Sequence, residues 1–268
     1  MNKVQAIICG VLGMIVGASS PGYAQIDFCG IENRVIQHGE KLNFKVYYNL
    51  SAVWVGAGEA NFTTTATTLK GKKVYHIIGD GQTYTSYDWI YKVRDKYETF
   101  IDQETLRPLQ FIRNVSEGGY KIYNHVVFDH NNKKAYSDNK IFDVNSCIQD
   151  VLSSIYYARN IDYNKLNKGD KIPFTMFLDN ASYDLYIRYL GKETITTKYG
   201  TFKAIKIAPL LIKGTIFKGG EKMAIWVSDD ENHVPLRIDS PIAVGSIKVD
   251  LMGYTNLKNP LTALINKK

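Results

Sequence analysis

Asp150-Val151-Leu152-Ser153-Ser154-Ile155-Tyr156-Tyr157-Ala158-Arg159-Asn160-Ile161 is the one stretch beyond the first two dozen residues where apolar side chains return every third or fourth position. Val151, Leu152, Ile155, Tyr156 and Ile161 share a helical face. Asp150 or Ser146 can cap its start, and the chain is polar from Asp162 onward. Elsewhere from Lys41 the period is two. Leu42, Phe44, Val46 and Tyr48 lie on one face of a strand, with Asn43, Lys45 and Tyr47 on the other. Residues 54–65 read as a long strand with a bulge or bend at Gly56 and Gly58. Further strands are expected over residues 74–78, 91–101, 109–115, 120–128, 135–136, 172–178, 183–190, 194–197, 202–209, 222–228, 234–239 and 245–254. The expected fold is all-β with one main helix packed on the sheet. The sheet is curved and antiparallel, or a partly closed β-barrel.

Two hairpins echo each other. Phe100-Ile101-Asp102 through Leu106-Arg107-Pro108-Leu109 parallels Trp226-Val227-Ser228-Asp229-Asp230 through Val234-Pro235-Leu236-Arg237. Each is a strand, an acidic turn and a Pro-Leu opening the next strand, where no ladder donor is needed. No Pro/Ser/Gly-rich linker divides the halves, so residues 25–268 are expected to form a single domain.

The first residues carry an address. Met1-Asn2-Lys3 is a short positive start, Ala6 to Ala18 is apolar or small, and Gly22-Tyr23-Ala24 places small residues at a cleavage site. Residues 1–24 therefore read as a secretory signal peptide cut after Ala24, with an apolar run too short for a permanent membrane helix. Ile26-Asp27-Phe28 before Cys29 is a poor lipidation signal, so a soluble exported protein is the expectation. Removing the leader discards Cys9 and leaves Cys29 and Cys147, which can pair in an oxidising compartment. The alternative is two buried thiols.

The chain of 268 residues is 45% hydrophobic, which excludes a disordered protein and gives ample material for a core. Its 19 Tyr against 3 Trp suit strands. Net charge is +7, or +6 once Lys3 leaves with the leader. The lysines sit in separate clusters, at residues 70–73, 133–134, 218 with 222, and 267–268, among turn residues. Nucleic-acid binders gather charge on one face, so that class is set aside. Solvated loop charge, or weak attraction to anionic envelope surfaces, remains.

Signals for chemistry are sparse. His125, Asp129 and His130 suggest metal ligands only briefly. Strand residues five apart point to opposite faces, so surface histidines are expected and no metal. No G-x-S-x-G, Walker loop or dinucleotide fingerprint occurs, and no cofactor is implied. Asp88, Asp95, Glu98, Asp102, Asp229 and Asp230 offer carboxylates for a glycosidase pair, with Asp95 and Asp229 or Asp230 as its candidates. The densest segment is Tyr84-Thr85-Ser86-Tyr87-Asp88-Trp89-Ile90-Tyr91-Lys92-Val93-Arg94-Asp95. It can be a stacking platform for a sugar, a lid over an apolar cleft, or an aromatic corner plugging a barrel end with Arg94 and Asp95 paired at the rim.

A set of motifs across nearly the whole chain resembles an exported bacterial family known only as domain of unknown function 3108. They include Gly39-Glu40 with Tyr47-Tyr48, Gly58-Glu59-Ala60, Val93-Arg94-Asp95 with Glu98-Thr99, Leu106-Arg107-Pro108, Asp150-Val151-Leu152-Ser153-Ser154 with Tyr156-Tyr157-Ala158-Arg159, Gly200-Thr201-Phe202, and Ile225-Trp226-Val227-Ser228-Asp229-Asp230. The resemblance implies a Gram-negative envelope protein and no established activity, so no catalytic residue is carried over. The two hairpins are also distantly similar to those of LolA-like periplasmic carriers, curved half-barrels whose concave face receives acyl chains.

These readings imply a periplasmic or outer-envelope protein that binds an apolar or amphiphilic ligand, or an envelope partner, on a curved sheet. The ligand would be a lipid, acyl chain or glycan. Tyr84, Tyr87, Trp89, Tyr91, Arg94, Asp95 and Trp226 are the expected ligand-binding residues. The rival readings are a carbohydrate-active enzyme with paired carboxylates and a scaffold that adds a strand at an exposed sheet edge.

Overall fold

The alternation that begins at Lys41 becomes a sheet because each strand has one apolar face to bury and a polar one to leave wet. The computed structural model describes residues 29–50, 53–212, 219–242 and 245–268. The leader read at residues 1–24, its cleavage after Ala24, and Lys218 lie outside the described residues. The first half holds β1 (Lys41–Leu50), β2 (Val53–Leu69), β3 (Lys72–Thr83), β4 (Arg94–Asp102), β5 (Pro108–Glu117), β6 (Tyr120–Asp129), β7 (Lys134–Ser137) and β8 (Lys140–Asp143). Helix α1 (Val151–Ala158) follows. Then come β9 (Lys171–Leu178), β10 (Ala181–Thr196), β11 (Gly200–Pro209), β12 (Ala224–Ser228), β13 (Pro235–Pro241), β14 (Ser246–Thr255) and β15 (Leu264–Lys267).

All strands belong to one antiparallel sheet. β1 to β8 meander away from β1, the chain crosses through α1, and β9 to β14 meander back until β14 pairs with β1. β15 adds to β11. Successive connections therefore alternate between two ends. The mouth carries the β1–β2, β3–β4, β5–β6 and β13–β14 links, and the base carries β2–β3, β4–β5 and β12–β13.

Local chemistry sets the register. Lys70-Gly71, Asp138-Asn139 and Asp179-Asn180 are two-residue turns with positive φ throughout, the geometry that matches strand twist. The expected bulge is present: Val46 faces Gly58 and Tyr47 faces Gly56, leaving Ala57 over. A side chain at Gly58 would sit 2.3 Å from the Gln82 carbonyl, so only glycine fits. The echoed hairpins are alike in detail. Asp102 and Asp230 accept backbone N–H groups of their turns, Leu106 and His233 take positive φ, and both ladders shift beside the proline.

The helix is a capped plug. Asp150 accepts from Ser153 N and Ser153 Oγ accepts from Asp150 N, each at 2.8 Å. Thr99 Oγ1 donates to Asp150 at 2.6 Å and ties the cap to β4. Burial pushes the Asp150 carboxyl up to about 6. The helix stops at Ala158 rather than continuing to Ile161, because the Asn160 side chain donates back to Tyr156 O and accepts from Arg34 N. Ile161 still joins the same core as Tyr156, Ile77, Ile101, Ile205, Ile207 and Val227. Just past the helix, buried Arg159 makes a two-bond ion pair with Glu40 at 2.7 and 2.8 Å and donates to Asn232 O. One guanidinium thus joins the start of β1, the helix end and the β12–β13 turn.

The sheet is curved but not closed by a ladder. Its free edges are β8 and β9, and side chains bring them together. Phe177 of β9 packs edge-on against Phe128 at 6.0 Å and against Phe142 at 5.4 Å. Arg113 pairs with Asp179, and Asn180 donates to Asp138. Gln149 bridges β9 in parallel, donating to Thr175 O and accepting from Phe177 N. β8 is only four residues long and Gln149 covers part of β9, while residues 120–125 of β6 run past β7 with no ladder partner on their outer side among the described residues. Cys29 and Cys147 are disulfide-bonded, with Cα atoms 5.5 Å apart across 118 residues of chain.

Several boundaries differ from the sequence reading. β10 runs through Gly191, where a register shift lets the strand bend, so residues 194–197 are not a separate strand. β4 begins at Arg94 rather than Tyr91. β8 and β15 are too short to show a period. His130 is not a surface histidine: it bridges Pro108 O at 2.6 Å and Ser146 O at 3.1 Å, and burial lowers its pKa.

Candidate functional site

Four of the seven expected ligand-binding residues, Tyr84, Tyr87, Trp89 and Tyr91, lie on the β3–β4 connection at the mouth, and Arg94 and Asp95 open β4 beside it. Residues 85–87 form a single helical turn, and Asp88 closes it by accepting from Thr83 Oγ1 at 2.8 Å. Arg94 grips the same carboxylate with two nitrogens, at 3.1 and 2.7 Å, and also donates to Thr83 O. These bonds hold Asp88 below the usual carboxylate range, opposed by desolvation, the largest single influence. The expected Arg94–Asp95 pair does not form, because neighbouring strand residues point to opposite faces. Tyr84 N donates to Ala57 O on β2, and the Tyr91 ring lies over Gly118 in the β5–β6 turn. The corner is therefore rigid and braced on both sides. Its tip is not packed inward: Trp89 is 82% exposed and Ile90 62%. The reading of this segment as a plug buried in a barrel end is corrected accordingly.

Trp226 is elsewhere. It is nearly buried on β12, its indole N–H donates to Glu193, and Lys206 lies 4.7 Å from its ring. It does not join Trp89 and Tyr91 at the mouth, since it points to the opposite face from its neighbours Ile225 and Val227.

The expected acid pairings also part company. Asp229 binds Lys192, and Asp230 caps its own turn at the base. Both line a polar cavity of about 200 Å³ with Arg34, Arg159, Asp162 and His233. Asp95 lies at the other end of the sheet, and its partner is Glu117, a residue not singled out by sequence. The two carboxyls are hydrogen-bonded to each other; burial first, then the Asp95 charge, pushes Glu117 up to about 7 and burial raises Asp95. Hydrogen-bond contact is closer than the separation of about 5 Å or more that a glycosidase pair needs. Only the ladder shows this meeting, through the Val93–Glu117 bridge beside Lys96–Asn114. Asp88, Glu98 and Asp102 are held respectively by Arg94, by His76 and Lys96, and by their own turn. No group of three His, Cys, Asp or Glu able to hold a metal ion occurs among the described residues.

A second feature involves side chains that do not stand out in the sequence. Ile207, Ile225, Ile238, Val249 and Val46 are directly opposed across β11, β12, β13, β14 and β1. They form one row on the face that packs round α1. Ile207 is buried, whereas the other four are only half-buried. Ile247 and Tyr48 continue the half-buried face one step toward the mouth. The strands' alternation places these side chains inward; what it does not reveal is that α1 spans eight residues and leaves this part of the concave face uncovered.

Comparison with known proteins supports this architecture. The model of the family described as protein of unknown function DUF3108 matches residues 43–252. Comparison with curated proteins gives no match. Among solved structures, the beta-barrel-like protein of domain of unknown function DUF1849 from Brucella abortus is similar at a TM-score of 0.55 and 9% identity, covering 84% of this chain and 100% of that one. At that identity the likeness concerns the fold alone. A candidate exported protein with a YmcC-like fold from Bacteroides fragilis aligns at a TM-score of 0.33 and 12% identity over 85% of this chain and 99% of its own. A candidate lipoprotein from Parabacteroides distasonis aligns at 0.35 and 12%, with the same coverage.

Proposed function

The chain belongs to the DUF3108 family of proteins of unknown function, and from that premise we propose an exported, non-catalytic protein that retains an apolar or amphiphilic ligand on the concave face of its sheet. The observation that carries this reading is the half-buried row Val46, Val249, Ile238 and Ile225. Aliphatic surface left in water costs about 25 cal/mol per Å². A hydrocarbon chain laid along these half-buried Val and Ile side chains would cover them. Trp89 and Tyr91 stand at the entrance. The exported location rests on the leader read at residues 1–24 and accords with the bonded Cys29–Cys147 pair. No helix among the described residues is long and apolar enough to cross a membrane.

The test is titration of the mature protein with the apolar fluorophore N-phenyl-1-naphthylamine. Ile238→Asp should bind it at least tenfold more weakly, and Val249→Thr, a change of nearly equal volume, a few-fold more weakly. Both should retain a cooperative melt. Wild-type-like binding in a folded Ile238→Asp variant, or in Val249→Thr should the first fail to fold, would overturn the assignment.

A further inference from the structure

We propose that the mouth of the sheet is a membrane-docking rim that seats on an anionic lipid surface through the first residues of β2 and the β3–β4 corner. The inference does not depend on what the concave face holds. Val53 is 65% exposed and is followed by the exposed Trp54 and Val55 at the start of β2, and Trp89, Ile90 and Tyr91 are exposed on the β3–β4 corner. The Tyr84–Ala57 hydrogen bond joins the two connections, so both sets of exposed apolar residues lie at the same end of the sheet.

The tip chemistry suits a lipid interface better than water. The Trp89 indole N–H already donates to Ser86 O at 3.0 Å, so the ring can leave water without stranding a donor. The Asp88–Arg94 clamp below it fixes the corner in place, so little ordering is lost on docking. Trp and Tyr are the residues that settle at bilayer headgroups.

Charge selects an anionic surface. Three carboxylates at the mouth are neutralised by arginine, Asp88 by Arg94, Asp179 by Arg113 and Glu221 by Arg188, whereas Asp138 and the Asp95–Glu117 pair keep negative charge that the free lysines must outweigh. Lys92, Lys121, Lys140 and Lys222 are exposed at the same end and make no salt bridge among the described residues. Lys248 lies against the Trp54 ring at 4.2 Å. Lysines flanking an apolar tip add attraction to acidic headgroups that salt screens.

The experiment is co-sedimentation of the mature protein with vesicles of phosphatidylethanolamine and phosphatidylglycerol, and separately with vesicles of phosphatidylcholine alone. The expected result is binding to the acidic vesicles that falls at least tenfold in 0.5 M salt. Tryptophan emission should shift blue and be quenched by brominated lipid. Trp89→Ser/Ile90→Ser should bind at least tenfold more weakly and Lys92→Glu/Lys121→Glu should lose the preference for acidic lipid. These exposed changes leave the core untouched, and fluorophore retention through Ile238 is read separately, so either reading can fail alone. Absence of vesicle binding, equal binding by the Trp89→Ser/Ile90→Ser variant, or equal affinity for neutral vesicles would overturn the proposal. So would concentration-dependent self-association that the same variant abolishes while vesicles stay unbound, which would assign the patch to a second copy of the chain.

Discussion

Glu117 is the residue whose setting departs furthest from what its type suggests. Burial and the adjoining Asp95 raise it from the usual carboxylate range to about 7. A carboxyl raised in the folded state binds its proton more tightly there than when unfolded. Its stabilising contribution is therefore complete below about pH 4.5 and is lost as pH climbs through 7. Because Asp150 is also raised, to about 6, the pair's share is read as a difference: urea unfolding between pH 4.5 and 7.5 should show wild-type stability falling more steeply than that of Glu117→Gln, by less than the one-proton limit of about 1.4 kcal/mol per pH unit, since water reaches part of the pair. Glu117→Gln keeps a hydrogen-bonding partner for Asp95 and should flatten that slope; an unchanged slope would remove the pair from the account. Glu40 belongs to the opposite case, a fully buried charge with a full partner. Glu40→Gln strands the Arg159 guanidinium and should cost about 3–5 kcal/mol in a denaturant melt. A loss under about 1 kcal/mol would mean that Arg159 finds other partners.

At the level of elements, the strands from β1 to β14 are mostly legible in the sequence because alternation is a direct consequence of one buried face, and α1 because its period breaks that pattern. Gly118-Gly119, Asp138-Asn139 and Asp179-Asn180 are legible as turn chemistry. Gly191 reads as a strand end because a glycine in a bulge and a glycine in a turn are the same letter. The β3–β4 corner is legible as unusual but not as outward-facing, since aromatic residues cluster in cores and at exposed tips alike. Asp95 stands out without Glu117 because their meeting depends on the β4–β5 register, which a single strand does not encode. The disulfide joins the chain ahead of β1 to the segment leading into α1. A disulfide is typically worth about 2–4 kcal/mol, with the chain-entropy relation giving about 5 for a loop this long. Cys147→Ser should lower the unfolding free energy by about that amount, seen as a lower denaturation midpoint and a somewhat steeper dependence on denaturant; an unchanged midpoint would show that the N-terminal segment is held by Ile31, Asn33 and Val35 alone.

For the whole molecule, the ends of the barrel differ. The base is filled by α1, the Glu40–Arg159 pair and the two echoed hairpins, while the mouth keeps a half-buried aliphatic row under a rim of exposed aromatics. The two edges meet through Phe128, Phe142 and Phe177 and through the short Gln149 bridge to β9 rather than through a continuous ladder. The most direct measurement is native against denaturing mass spectrometry of the mature protein purified from its own envelope. A ligand-retaining barrel predicts extra mass in the native spectrum that is lost on denaturation and identified as a lipid or other amphiphile. A bare polypeptide mass in both spectra, unchanged after incubation with the source lipids, would contradict it.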